Sequence, residues 1–280
     1  MLFRSAKLRF GPLVFALPMY HPLRLLQEIC MLDNISHGRL DMGFGRGSSP
    51  IEAAYYGEET SQDHYAEALD LILAGLQTDR LTFKGRKYDF DNVPITLSTF
   101  QKPYPPIWYG VHSIEASERA AKRRYNMVSA DSVADTRGFH DHYRKVWKET
   151  HPGEKLPKLG LTRFVVVAET DGKALEIASR AYRYWHDSFH WLFRLHGRTP
   201  RLGERARTYD LVINEGRGIA GSPETVAKFL SKQLEDSASN YFVGQFVFGD
   251  MSLDETLRSV ELFAEKVAPR LDEVDAKLPA

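Results

Sequence analysis

Two short stretches of this chain carry residues that could hold an anion. The first is Gly43-Phe44-Gly45-Arg46-Gly47, where glycines allow the backbone to approach a ligand closely and Arg46 offers a planar fork for a phosphate. The same residues also suit a plain strand-to-helix turn with Arg46 in solvent. The second is His112-Ser113-Ile114-Glu115-Ala116-Ser117, which follows the apolar run IWYGV and opens a helix. There the Ser113 hydroxyl and unpaired backbone N–H groups make an anion site or an ordinary helix cap. His112, with its near-neutral reference pKa, is a ligand or general acid beside such a phosphate, or a cap on the strand.

Other chemistry-bearing residues have simpler readings. His186 and His190 lie four apart in HDSFH with His196 nearby, a spacing that lets two imidazoles share a metal. The segment lacks the glutamate of the metalloprotease motif and a third ligand, so it reads as a surface pair beside an aromatic helix face. His140 and His142 point to different faces of a helix and are assigned to solvent. His21 is structural at its turn, and Glu58-Glu59 is a solvated pair. The cluster Tyr182, Tyr184, Trp185, Phe189, Trp191 and Phe193 is core packing or the wall of an apolar pocket. No Ser-His-Asp arrangement can be assembled from spacing alone.

The elements that position these residues alternate. KLRFGPLVFALPM (7–19) is a strand, followed by a helix over 22–36 that carries Leu25, Ile29 and Leu32 on one face with Leu26 and Cys30 beside them. RLDMGFGRG (39–47) is a strand running into the glycines, and a helix follows from about Asp63 to Gln77. Residues 80–104 break the alternation with turn signals at Lys84-Gly85 and Asp91-Asn92, an excursion containing a small hairpin. Strands at 107–111, 126–130, 161–169 and 240–248 then alternate with helices from Ser113, after 130, from about Gly172 and from Ser252 to Leu271. Residues 197–220, rich in Arg and Gly, read as a mobile loop, after which Ser222-Pro223-Glu224 caps another helix. Six strands alternating with helices mean a parallel α/β sheet, either a barrel or a doubly wound sheet, in one domain over 1–280. The G-x-G-x-x-G spacing expected at the first strand of a doubly wound dinucleotide binder is missing.

Composition sets outer bounds. The 37 basic and 37 acidic residues cancel, which argues against a nucleic-acid partner and makes self-association easier. The single Cys30 excludes an internal disulfide framework and reads as a buried helical thiol. No apolar run approaches the roughly 20 residues that span a bilayer. The expected location is the cytoplasm, away from membranes.

Over most of its length the chain resembles the luciferase-like flavin-dependent monooxygenases, which are TIM-type (β/α)8 barrels. The resemblance lies in FGPLVFALPMYHPLRLLQEICMLDNISHGRLDMGFGRG (10–47), DHYAEALDLIL (63–73), FKGRKYDF (83–90), the proline-rich entry to IWYG, AGSPETVAKFL (220–230) and ELFAEKVAPRL (261–271), in this order and spacing. It implies a phosphate site formed by Arg46 with backbone from Ser48, flanked by Gly45 and Gly47, together with Ser113 and its neighbour His112. It also implies that Leu13-Val14 lies near the flavin ring, where relatives often carry a strained peptide. The implied cofactor is reduced FMN supplied by a separate flavin reductase, and the implied reaction uses O2 to oxygenate a small organic substrate, with the protein shielding and positioning the reactants. Deazaflavin-dependent relatives transfer hydride instead, and a non-catalytic flavin-binding barrel is the third possibility.

By the same resemblance, two strand–helix units would precede residue 7, where only MLFRSA stands, so the chain reads as a barrel truncated to about six strands. In many relatives the second of those units supplies a His-bearing loop, to which no residue of this chain is assigned, and the catalytic residues are therefore unknown. A six-stranded barrel leaves two strand edges unpaired. Closure by a homodimer, closure by a segment such as 197–220, an open barrel, and a start upstream of Met1 are the alternatives.

Overall fold

Apolar runs that alternate with amphipathic helices fold here as parallel strands joined by crossover helices. The structure is a computed structural model that describes residues 5–47, 49–57, 61–200 and 203–275. The chain divides into two compact units, Met1–Gly110 and Val111–Ala280.

In the first unit β1 (Phe15–Ala16) leads through a short 3-10 turn to α1 (Pro22–Ile35) and then β2 (Met42–Gly45), α2 (Pro50–Tyr55) and α3 (Gln62–Gly75). The antiparallel hairpin β3 (Arg80–Lys84) and β4 (Asp89–Pro94) follows, and β5 (Ile107–Gly110) closes the unit. β2 lies between β1 and β5, parallel to both, with Phe15 opposite Phe44 and Met42 opposite Ile107. The strand expected over 7–19 shrinks to two residues plus a lone bridge from Phe10 to Leu40, because Pro12 and Pro18 have no N–H to give a ladder. α1 forms as its periodicity dictates, burying Leu25, Leu26, Ile29 and Cys30, and burial pushes the Cys30 thiol up to about 11. Asp33 on the same helix is fully buried and accepts from the Gln101 backbone N–H and side-chain amide, both at 2.8 Å. The Asp91-Asn92 turn signal falls inside β4: Asn92 takes a φ of 52° without ending the strand, as asparagine tolerates.

The second unit runs α4 (Ile114–Lys122), β6 (Asn126–Ser129), α5 (Val133–Thr150), β7 (Leu159–Val167), α6 (Asp171–Leu195), α7 (Tyr209–Asn214), β8 (Gly218–Gly221), α8 (Pro223–Ser237), β9 (Tyr241–Gln245) and α9 (Leu253–Leu262). A π-helical turn over Phe263–Val267 then joins α9 to α10 (Ala268–Asp275). β7 pairs in parallel with three strands: β6 at its start, β9 along its middle and β8 at its end. Its alternate residues feed two cores. Leu161, Val165 and Val167 pack with Val226 and Leu230 of α8, and Val166 packs with Ala178, Ala181 and Tyr182 of α6. The stretch read as a loop over 197–220 holds α7 and most of β8. Its Arg and Gly content hides the buried Tyr209 and Val212 that anchor α7. Ser222 caps α8 through the Thr225 N–H, as its Ser-Pro-Glu pattern predicts.

Candidate functional site

In the first unit the glycine run sits at the carboxyl end of β2, where parallel α/β folds place ligands. A side chain at Gly45 would put its Cβ 2.5 Å from Val14 Cγ2, and Gly47 has a φ of +81°, so both positions require glycine. Arg46 is half-buried and, among the described residues, makes no hydrogen bond or ion pair. Ser48, which the resemblance adds to this site, lies outside the described residues. Leu13 and Val14 present an apolar surface, 49% and 37% exposed, and the peptide between them is cis. A bare glycine backbone, an unpaired guanidinium and an open apolar patch fit the phosphate and ring of a flavin.

In the second unit Ser113 is the N-cap of α4, accepting from the Ala116 N–H at 3.2 Å. Glu115 in the first turn bends back to the same donors: its own N–H, and then the Ser113 hydroxyl, hold its carboxyl below the usual range. His112 donates from Nδ1 to Asp131 Oδ2 at 2.6 Å. Burial raises the Asp131 carboxyl, but the His112 hydrogen bond and charge and the Ser129 hydroxyl at 3.1 Å bring it below its ordinary value. The pair fixes the imidazole with Nδ1 protonated and leaves Nε2 to meet a ligand. Asp131 was not singled out from the sequence, although it stands just past the carboxyl end of β6, the position that signals a site in such folds.

A cavity of about 380 Å³ also lies in the second unit, lined by Arg163, Arg205 and Arg217 and by Phe164, Tyr182 and Trp185. Arg163 is only 2% exposed. It donates to Gln233 Oε1 at 2.7 Å and to the Thr162 carbonyl at 2.8 Å, while its Nη2 is buried with no hydrogen-bond partner among the described residues. Burial, then the charge of Arg217, bring its pKa down to about 10.

The remaining histidines and aromatics divide. His140, assigned to solvent from the sequence, is fully buried against α8, its Nδ1 donating to the Ser237 carbonyl at 3.0 Å. Its helix packs on α8 as well as on α4, so both of its faces are covered. The surface pair is corrected in part as well: His190 is 4% exposed, with Nδ1 donating to the His186 carbonyl and Nε2 accepting from the Arg205 N–H. Among the described residues no cluster of three His, Cys, Asp or Glu side chains is placed to hold a metal ion. His21 caps α1 and meets Tyr88 and Phe90 edge-on. Of the aromatic cluster, Tyr182 and Trp185 turn to the cavity, whereas Tyr184 and Trp191 are each 59% exposed. Glu58 and Glu59 lie outside the described residues. Among those described, no helix is long and apolar enough to cross a membrane.

Comparison with known proteins bears on the family and the fold. The chain is 32% identical to the uncharacterized protein y4wF of Sinorhizobium fredii, covering 96% of this chain and 79% of that protein. It is 24% identical to the oxygenase component of the flavin-dependent trigonelline monooxygenase of Acinetobacter baylyi, over 86% of this chain and 64% of that protein. Among solved structures, the monooxygenase RslO1 of Streptomyces bottropensis superposes with a TM-score of 0.82 at 22% identity, covering 96% of this chain and 80% of that one. The oxygenating constituent of 3,6-diketocamphane monooxygenase from Pseudomonas putida, solved with FMN, gives 0.73 at 20% identity over 94% of this chain and 79% of that one. The coenzyme F420 dependent tetrahydromethanopterin reductase of Methanopyrus kandleri gives 0.71 at 17%, covering 96% and 85%. These likenesses carry the fold, the parallel α/β barrel class that the sequence resemblance implies. The family described as luciferase-like monooxygenase matches residues 2–239, and the chain belongs to that family.

Proposed function

We propose that the protein is the oxygenase of a two-component system that takes reduced FMN from a separate flavin reductase and uses O2 to oxygenate a small organic substrate. The observation that carries this reading is Arg46, a half-buried guanidinium with no hydrogen bond or ion pair among the described residues, at the glycine-lined carboxyl end of β2. Reduced FMN, when bound, would supply the electrons that activate O2. The chain's own part is to bind, orient and shield. Arg46 and Gly45–Gly47 would receive the phosphate, and Leu13 and Val14 would cover the ring with apolar surface; Ser113 and His112 are the further phosphate-binding groups that the sequence resemblance implies. The FMN-bound relative and the relative named as an oxygenase component support the cofactor and the reductase. A second reading, hydride transfer with a deazaflavin, is supported by the F420-dependent structure. Balanced charge and exposed apolar residues such as Leu8, Tyr55 and Tyr56 support self-association as a homo-oligomer, which sedimentation of the purified chain would read directly.

The test is an anaerobic titration of the purified chain with reduced FMN, followed by absorbance and calorimetry, with a reduced deazaflavin in parallel. Arg46→Ala removes a charge-assisted contact and is expected to weaken FMN binding roughly 10- to 100-fold. Binding of the deazaflavin alone would favour the second reading. Binding of neither would leave a family member without a cofactor, the non-catalytic alternative.

A further inference from the structure

The arginine-walled cavity of the second unit has a charge pattern that the flavin reading does not use. Three arginines, Arg163, Arg205 and Arg217, border it, against two glutamates, Glu204 and Glu215. Arg217 is held at one edge by Glu215 at 3.4 Å and by the Ala130 carbonyl at 3.3 Å. Arg205 lies with its guanidinium 5.6 Å from the centre of the Phe189 ring and, among the described residues, forms no hydrogen bond or ion pair through its side chain. Arg163 adds a buried charge in the wall with one nitrogen unpartnered and no carboxylate bonded to it. Like charges brought together at partial burial repel and lose hydration, an arrangement that stabilises the chain only when an anion joins it. Burial first, and the charge of Arg217 second, depress the Arg205 pKa, against the charges of Asp131 and Glu215, which raise it.

Part of the lining is aromatic. Phe164 meets Trp185 edge-on at 4.9 Å and Tyr182 at 5.4 Å, and Tyr182 stacks on Trp185 at 5.2 Å. A cavity of about 380 Å³ is at the small end of the range for organic ligands. We propose that it binds a small organic monocarboxylate, its carboxylate taken by Arg205 and Arg217 and its aromatic or aliphatic body laid against Phe164, Tyr182 and Trp185. The Arg205 guanidinium, with no hydrogen bond or ion pair of its own among the described residues, can take one carboxylate, and a planar guanidinium recognises that group bidentately. An inorganic anion would leave the aromatic wall uncovered, and a neutral aromatic would leave the arginines unneutralised.

The test is calorimetry on the purified full chain without added flavin, using phenylacetate and benzoate, with benzyl alcohol as the neutral analogue and inorganic phosphate as the small anion. Quenching of tryptophan fluorescence, lost in Trp185→Phe, locates the binding. The expected result is saturable carboxylate binding, weakened roughly 10-fold or more for the alcohol, for Arg205→Gln and for Arg217→Gln, and tightened in Glu215→Gln. Urea unfolding of each variant separates lost binding from lost structure, and the Arg205 side chain has no hydrogen bond among the described residues for its replacement to break. Equal affinity for acid and alcohol, indifference to Arg205→Gln, tighter binding of phosphate than of either acid, or no heat at carboxylate concentrations on the order of 10 mM would each overturn the proposal. Because no flavin is present, either outcome is independent of whether the chain binds FMN.

Discussion

His140 makes the stability of the second unit sensitive to mild acid. It is fully buried in α5, its Nδ1–H donates to the Ser237 carbonyl on α8, and its Nε2 is buried without a hydrogen-bond partner among the described residues. A proton added there would place a charge in a buried site, where the Ser237 and Gly160 backbone groups and the Asp141 charge do not offset the burial. Burial therefore pushes its pKa down from 6.5 to about 4, with the positive charge of Arg144 acting in the same direction and the Ser237 carbonyl opposing it. The unfolded chain binds this proton near pH 6.5 and the folded chain only near pH 4, so unfolding takes up a proton throughout that interval. The stability is fully present above pH 6.5 and is lost as pH falls towards 4, about 3 kcal/mol over the whole interval and about 2 kcal/mol between pH 7 and pH 5. Carboxylates with depressed values, such as Glu255 at about 2 through Arg180, contribute only at lower pH and leave this window to His140. Urea unfolding at constant ionic strength, followed by circular dichroism from pH 7 to pH 5, measures the slope. His140→Gln, which does not titrate, should flatten it while lowering stability at neutral pH. A flat profile in the parent chain, or an unchanged slope in the variant, would refute the assignment.

Further expectations concern the first unit and the α4 terminus. Gly45→Ala would drive a Cβ to 2.5 Å from Val14 Cγ2, costing about 1–3 kcal/mol in urea unfolding and weakening FMN binding together with it. Asp33→Ala would leave the Gln101 backbone N–H and side-chain amide without their acceptor, a loss of about 1–3 kcal/mol, with Asp33→Asn recovering part of it. If Ser113 and its helix end take a phosphate, Glu115→Gln should tighten FMN roughly 2- to 5-fold by removing the carboxylate that holds those donors. Calorimetric affinity unchanged by Glu115→Gln would place the phosphate elsewhere.

Periodicity was a sound guide wherever local forces and packing agree. α1 and α3 lie within two residues of their expected bounds, and α8 starts at its expected cap, because capping serines, prolines at the first turn and one apolar face all point to the same helix. α2 repeats the Ser-Pro start of α8 at Ser49-Pro50, with its glutamate one position later at Glu52, and the sequence does not mark it as a helix because only Ile51 and Ala53 form its buried side. β8, four residues of Gly-Ile-Ala-Gly, has too little periodicity to separate from a loop. His140 and Asp131 failed for a different reason. Whether a polar residue faces solvent, a facing helix or a site depends on what the chain brings opposite it, and Ser237 lies 97 residues away from His140. Arg46 and Ser113 were visible because glycine and a capping serine announce backbone geometry, whereas Arg163, Arg205 and Arg217 come together only in three dimensions.

β7 holds three partners along nine residues, and its interior amides are therefore bonded from more than one side of the unit. Such amides exchange with solvent only when the surrounding structure opens as a whole, so Leu161 to Phe164 should be among the slowest to take up deuterium. Arg163 belongs to this stretch, paired to Gly244 across the ladder. A charge carried on so stiff a strand does not follow a guest around the cavity; the guest has to arrive with its own charge in the right place, and selectivity there would rest on shape fixed in advance instead of adjustment.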